Sequence, residues 1–169
     1  MIVFLLSLAA CGWHLRGTAV LPPGMAHTYL DIPDKTGPIA RHLQRALRAA
    51  NIDVLSEPDE NAAVLTVQPS SGRRVLSVGP DGRALEYELF ATAAFSVHTA
   101  DGSFELEQQE VTLNRDVLFD PLVVLAGAEE QQQLQNDMEK QLAGLIIDRI
   151  SATYVSDLNT ANQVGPSVP

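Results

Sequence analysis

The sequence has little cysteine and few basic residues. Cys11 is the single cysteine among 169 residues, which excludes an internal disulfide framework and a multi-cysteine metal site. Lysine and arginine number 11 against 21 aspartates and glutamates, so the formal net charge is −10. Nucleic-acid binding and polybasic attachment to membranes both need a basic surface. We therefore expect no nucleic-acid partner and no polybasic membrane patch.

Motifs for catalysis and for metal binding are also missing. The four histidines share no metal-ligand spacing, and no zinc-protease, nucleophile-elbow, P-loop or dinucleotide-binding motif occurs. The acidic pairs have no partner acid or base that would give them a catalytic role. The sequence therefore predicts a protein that is not an enzyme and uses no cofactor or metal. An envelope hydrolase is the catalytic alternative, and no residue constellation supports it.

The amino-terminal residues predict export and lipid attachment. Residues 2–10 form an apolar run broken only by Ser7, which is shorter than the ~20 residues of a membrane-spanning helix and fits the apolar region of a secretory signal. Small residues precede Cys11, as in the lipobox of bacterial lipoproteins. We expect residues 1–10 to be removed and Cys11 to be acylated, giving a membrane anchor. The alternative is a free, buried cysteine.

The first half of the remaining chain contains one clear helix. Residues 28–32 alternate as a strand does. Apolar residues then recur at helical spacing, which predicts an amphipathic helix from Pro38 to about Asn51 with Thr36 as its cap. Residues 52–55 are expected to pair briefly at a sheet edge.

The second half is dominated by alternating segments. We expect a strand at 63–68, a break at 69–72 and a second strand at 73–78. The Asp81-Gly82 dipeptide is typical of a turn. Residues 85–98 alternate throughout, and 104–119 alternate in part, so a bulge or bend is expected there.

A second amphipathic helix is predicted from about Glu129 to about Thr153. The domain division that follows is a signal peptide at 1–10, one domain at 11–155 with an irregular lead-in at 11–26, and a disordered tail at 156–169. The predicted order of elements is one strand, one helix, several strands and a second helix, which indicates an α+β fold. Two helices would pack on one face of a roughly four-stranded mixed or antiparallel sheet.

The scarce basic residues are the candidate binding residues. Adjacent strands are expected to bring them together into a local cationic spot, formed by Arg73, Arg74, Arg83 and Arg115. Arginine binds phosphate with two parallel hydrogen bonds, which suits an anionic lipid head group. The alternative is ordinary ion pairing with neighbouring glutamates at positions 86, 88 and 110.

Several segments together resemble the LPS-assembly lipoprotein family, LptE. The resemblance begins at Cys11–Gly17 directly after the lipobox, and continues at Leu21–Pro23, Asp81–Leu89 and Arg115–Asp120. A final helix rich in glutamate and glutamine completes it. Each motif is modest alone, but their order and spacing along residues 11–153 are fairly specific.

This resemblance implies a role in lipopolysaccharide transport. Members of the family look like plugs inside the outer-membrane β-barrel LptD, and the pair inserts lipopolysaccharide into the outer leaflet. The implied fold is two helices on a four-stranded sheet. The resemblance also implies an outer-membrane lipoprotein on the periplasmic side and inside the barrel lumen. Lipopolysaccharide contact is attributed to basic residues near one end of the sheet, for which Arg73, Arg74 and Arg83 are the nearest candidates.

A freestanding carrier of anionic lipid is the alternative function. A carrier needs a roomy apolar pocket, whereas the apolar stripes of this chain suffice only to seal helices against a sheet. A plug needs a polar exterior, because the lumen of such a barrel is polar.

Overall fold

The computed structural model describes residues 19–118 and 124–163, apart from the side chains of 124–128 and 163. Its elements are β1 (His27–Asp31), α1 (Pro38–Ala49), β2 (Asp53–Leu55), β3 (Ala63–Val78), β4 (Ala84–His98), β5 (Glu105–Leu118) and α2 (Val124–Gln163). The lead-in ends in a short 3-10 turn, Pro23–Met25. Cys11, His14 and the predicted signal peptide lie outside the described residues.

The strands form one mixed sheet in the order β2-β1-β3-β4-β5. β1 runs parallel to β2 and β3, and the β3–β4 and β4–β5 pairs are antiparallel. The α+β prediction is confirmed. The described sheet has five strands rather than about four, because the expected edge piece forms the three-residue β2.

Both helices cover the same face of the sheet. Alternate residues of β4, from Leu89 to Val97, are buried on that face, as the period of a strand requires. α1 contributes Leu43 and Leu47, both fully buried, and α2 contributes Ile146. The core therefore lies between the helix layer and one side of the sheet.

The predicted break in β3 is wrong. β3 pairs with β4 without interruption from Val64 to Val75, passing through Pro69. Proline lacks a backbone N–H and is tolerated at a strand edge. β1 pairs with β3 only as far as Thr66, so Pro69 lies on a free edge and no ladder bond is lost. The bulge expected in the last strand is confirmed opposite Phe95 and Val97.

The predicted helix α1 is confirmed, but its cap is Gly37 and not Thr36. Thr36 instead donates to Asp34 Oδ1 from its backbone nitrogen at 3.0 Å and from its hydroxyl at 2.9 Å. This turn directs the chain from β1 into Pro38, whose fixed φ suits the first turn of a helix.

α2 is longer than predicted at both ends. It begins at Val124 and continues to Gln163, so the prediction of disorder is wrong for residues 156–163; the rest of the predicted tail lies outside the described residues. Tyr154 packs edge-on against Phe104 with ring centroids 5.8 Å apart, and the following residues are exposed. Among the described residues, no helix combines the length and apolar character needed to cross a membrane.

Candidate functional site

Three strands continue well beyond the short strand β1. We call this part the extension: residues 67–78 of β3, 84–95 of β4 and 109–118 of β5. The first half of α2 covers one of its faces. Gln135 Nε2 donates to the Phe90 carbonyl at 3.3 Å, and Ser71 Oγ donates to Glu139 Oε1 at 3.2 Å. The opposite face, which we call the open face, is not covered by either helix.

Arg73 and Arg115 lie on the helix-covered face of the extension. Both are in register with Leu89 of the central strand, Arg73 on β3 and Arg115 on β5. Neighbouring strands are about 4.8 Å apart, so the two Cα atoms are separated by about 10 Å. The Arg73 guanidinium carbon lies 5.0 Å from the Tyr87 ring centroid, and Nη1 donates to Gln131 Oε1 at 3.2 Å. Among the described residues, neither arginine has a carboxylate partner.

Arg74 lies on the open face, opposite Arg73. Its Nη2 atom is 2.5 Å from Glu88 Oε1, and Asp116 is in register with Glu88 on the other side. The Glu88 side chain is only 12% exposed, and Arg74 is its counterion. This arginine is therefore already neutralised within the fold, as the ion-pair alternative expects.

Arg83 follows the turn between β3 and β4. Its Nε atom lies 3.6 Å from Asp81 Oδ2, and both side chains are largely exposed. Gly82 has φ +75°, the left-handed conformation that glycine adopts without strain. The structure thus brings Arg73 and Arg115 to one face and separates them from Arg74 and Arg83.

An apolar surface that the sequence analysis did not identify lies next to these arginines. Large apolar side chains are exposed at the far end of the extension, and we call this group the apolar tip: Val75, Leu76, Val78, Leu85 and Leu118. Leu118 is 82% exposed. The signal was present in the sequence, because apolar residues at 75, 76 and 78 do not follow the period of two and so cannot all face one core.

The open face of the extension carries mainly polar side chains, some charged, such as Arg74 and Glu88, and some hydroxylated. One row across the three strands is Ser70, Thr92 and Thr112. Thr92 Oγ1 donates to the Ser70 carbonyl at 3.4 Å. In the neighbouring row Gly72 pairs with Phe90, whose side chain is half-buried. This face offers hydroxyl groups to water or to another polar surface.

The described histidines have structural neighbours. His27 Nδ1 lies 3.5 Å from Asp53, and His98 Nδ1 lies 3.9 Å from Glu105. His42 bridges the two helices through Asn136 at 3.2 Å. Within residues 19–118 and 124–163, no three histidine, cysteine or acidic side chains converge on a metal site.

Clefts in the described part of the chain lie at its surface. One of about 580 Å³ lies between Val20 and the end of α2, and another of about 500 Å³ lies between the two helices near Arg41. The layer between the sheet and the helices is packed with core side chains such as Phe95 and Ile146. A small pocket of about 210 Å³ borders this layer between Pro38, Ala91 and Leu142.

The fold and these surfaces define a class of small α+β protein with a packed core and with charged and apolar surfaces on its exterior. The family model "LptE: Lipopolysaccharide-assembly" matches residues 25–150. The chain therefore belongs to the LptE family of lipopolysaccharide-assembly proteins.

Sequence relatives agree with this assignment. The chain is 28% identical over 156 residues to the LPS-assembly lipoprotein LptE of Photorhabdus laumondii, covering 92% of this chain and 85% of the relative. It is 27% identical over 144 residues to the LPS-assembly lipoprotein LptE of Pectobacterium atrosepticum, covering 84% of this chain and 77% of the relative.

Solved structures share the fold. Lipoprotein B of Nitrosomonas europaea matches with a TM-score of 0.69 and 26% identity, over 88% of this chain and 96% of that one. The rare lipoprotein B of Shewanella oneidensis matches with a TM-score of 0.65 and 27% identity, over 77% of this chain and 97% of that one.

Proposed function

We propose that this protein is the lipid-anchored partner of the outer-membrane barrel LptD, seated in the barrel lumen, and that the pair inserts lipopolysaccharide into the outer leaflet. Membership of the LptE family supports the lipopolysaccharide part of this proposal. Lodging in the barrel is supported by the way apolar side chains are distributed over the fold.

The open face is the observation that carries the proposal. A lone sheet covered on one side usually turns its polar side to water, and this one does so with hydroxyl groups around Thr92 and Thr112. The lumen of a large outer-membrane barrel is polar, so such a face can be enclosed there without an apolar mismatch. A freestanding lipid carrier would need a larger cavity than the pocket of about 210 Å³ that borders the core in the described residues, because even drug-sized ligands occupy pockets of ~300 Å³ or more.

Thiol labelling tests whether the chain is enclosed. Ser70 is exposed on the open face, and a Ser70→Cys variant has no competing free thiol once Cys11 is acylated. In outer-membrane vesicles that contain LptD, we expect the new thiol to be shielded from a bulky maleimide. The same variant produced without LptD is the control and should label fully. Equal labelling in both samples contradicts enclosure.

Direct lipopolysaccharide binding belongs to the same proposal. The ligand is anionic and acylated, so it needs both cations and an apolar surface. Arg73 and Arg115 supply two charges on one face, without carboxylate partners among the described residues, and the apolar tip adjoins them. We assign the phosphate-binding role mainly to this pair, with Arg74 and Arg83 contributing less because Glu88 and Asp81 already face them.

Attachment through Cys11 completes the proposal. The matched relatives are named as lipoproteins, and Cys11 is the residue able to carry a thioether-linked lipid. Several acyl chains give firm anchoring where one gives marginal anchoring. Fatty acid labelling should mark the parent protein and leave a Cys11→Ala variant unlabelled, with or without LptD. Equal labelling of both proteins, or no labelling of the parent, contradicts the anchor.

A further inference from the structure

The outer edge of β5 is long and has no strand partner in the described part of the fold. β5 is the last strand of the sheet and has 14 residues, whereas β2 at the opposite edge has three. An unpaired edge presents backbone N–H and C=O groups that can pair with another strand. A three-residue edge strand such as β2 is too short to pair with another strand over several residues. β5 is long enough to do so.

A groove follows this edge between β5 and α2. Its volume is about 490 Å³, and its lining residues are Leu113, Asp137, Lys140, Gln141, Gly144, Leu145 and Asp148. Leu113 is half-buried at its floor, and Leu145 is 37% exposed on the helix wall. The groove thus combines an apolar strip with a free backbone edge, the two features that an added strand uses.

Gly144 has no side chain, so the groove is open at that position of α2. A Cβ built on Gly144 meets no atom within 4 Å, so no neighbour in the described fold requires glycine there. Glycine is among the weakest helix formers, and Gly144 lies in the middle of α2. Its effect is to leave room beside Leu145, where a larger side chain would narrow the groove.

The net negative charge along the groove and the β5 edge indicates which kind of segment can bind there. Asp137 and Asp148 line the groove together with Lys140. On the open-face side of the same edge, β5 carries Glu110 and Asp116, which alternate side chains of an added strand would meet. Acidic side chains therefore outnumber the basic ones, Lys140 and Arg115, along this edge. A second copy of this chain adding its own β5 would bring like charges together, which is unfavourable. An extended segment that carries lysine or arginine would be attracted.

We infer that β5 and the groove around Gly144 bind an extended basic segment of the host protein as a sixth strand of the sheet. Main-chain hydrogen bonds to β5 give affinity, an apolar side chain of the segment fills the strip between Leu113 and Leu145, and its basic side chains face Asp137 and the acidic residues of β5. This inference rests on the proposed function in one respect: the host is taken to be the LptD barrel.

Photocrosslinking tests the location. p-Benzoyl-phenylalanine replaces Gln141 in the groove, or Gln132 on the opposite side of α2 as the control, in chains co-expressed with LptD. We expect Gln141 crosslinks to map to one LptD segment containing lysine or arginine. Gly144→Trp should lower the Gln141 crosslink by at least about tenfold and leave the Gln132 crosslink unchanged. Gly144→Ala, which adds one methyl group in open space, should leave both unchanged.

Hydrogen exchange of the unmodified complex tests strand addition without any variant. The outward-pointing amides among residues 109–118, which are every second one, should exchange more slowly in the LptD complex than in the free protein, because the added strand accepts their hydrogen bonds. The amides that point towards β4 are the internal control. If the complex forms with unchanged exchange in β5, or if Gly144→Trp leaves the Gln141 crosslink intact, the inference is overturned while the proposed function stands. If no complex with LptD forms at all, the proposed function fails first.

Discussion

The ring of Phe90 lies against the backbone of Gly72, its partner across β3 and β4: a Cβ built on Gly72 comes within 3.0 Å of Phe90 Cζ. Gly72→Val should therefore displace the ring and destabilise the protein by about 1–2 kcal/mol, as overpacking does. In Gly72→Val/Phe90→Ala the clash is gone, and the double variant should be more stable than the sum of the single effects by at least about 0.5 kcal/mol. Urea unfolding of the four proteins measures this coupling, and strict additivity contradicts the contact.

The inner side of α2 should carry most of the helix's contribution to stability. Leu142 is 1% exposed and Leu158 on the same helix is 49% exposed. Leu142→Ala should lower the free energy of unfolding by about 2–5 kcal/mol because it leaves a cavity in the core. Leu158→Ala is the matched control and should stay within about 0.5 kcal/mol of the parent. Similar losses for both would mean that α2 packs differently.

Lipopolysaccharide affinity should depend on which two arginines are neutralised. Two double variants each remove two positive charges: Arg73→Gln/Arg115→Gln and Arg74→Gln/Arg83→Gln. We expect the first pair to weaken binding by about tenfold or more, because those side chains face no carboxylate in the described structure, and the second pair by less than about threefold.

Titration calorimetry or surface plasmon resonance with purified lipopolysaccharide measures the difference. Circular dichroism of both double variants controls for folding. Equal losses for the two pairs would show that overall charge, and not the face that holds Arg73 and Arg115, determines affinity.

Acid stability should depend on Asp34. Two hydrogen bonds from Thr36 to this carboxylate hold the pKa of Asp34 below its ordinary value. The bond from the hydroxyl has the larger effect and the bond from the amide the smaller one. A carboxyl whose pKa is lowered by folding stabilises the fold above its unfolded pKa, and this contribution is lost as the pH falls through the folded pKa. Asp34→Asn should therefore reduce stability at neutral pH and approach the parent as the pH falls through the lowered pKa of Asp34.

Thermal unfolding across the acid range checks this dependence. Thr36→Val removes the hydroxyl donor and keeps the amide, so it should reproduce part of the Asp34→Asn effect. A difference between parent and Asp34→Asn that stays constant with pH would exclude the charge as its cause.

Regular alternation made the central strands and the fold class predictable. In β4 every second residue from Leu89 to Val97 faces the helices, and a period of two over that length indicates a strand by itself. The break expected at Pro69 was wrong because the effect of a proline depends on whether its strand has a neighbour on that side. The sequence does not show where β1 stops pairing.

The end of α2 was missed for a related reason. The periodic apolar stripe ends near Tyr154, where packing against Phe104 ends, but a helix can continue past its last core residue when nothing stops it. Residues 157–163 contain neither proline nor glycine.

The binding residues were predicted in kind but not in arrangement. Residue types identified the arginines, whereas the face of each depends on the register between strands. Arg73 and Arg74 are adjacent in sequence and therefore point to opposite faces of the sheet. The apolar residues at 75, 76 and 78 break the period of two, but their exposure also depends on how far the strands extend past the helices.

The most direct test of the central claim is the composition of the complex purified from outer membranes through a tag placed after Gln163 on the acylated chain. The account predicts that LptD co-purifies in a one-to-one ratio, measured by native mass spectrometry, and that the complex persists in detergent. Recovery of the tagged chain as a free monomer, while intact LptD remains in the same extract, contradicts it.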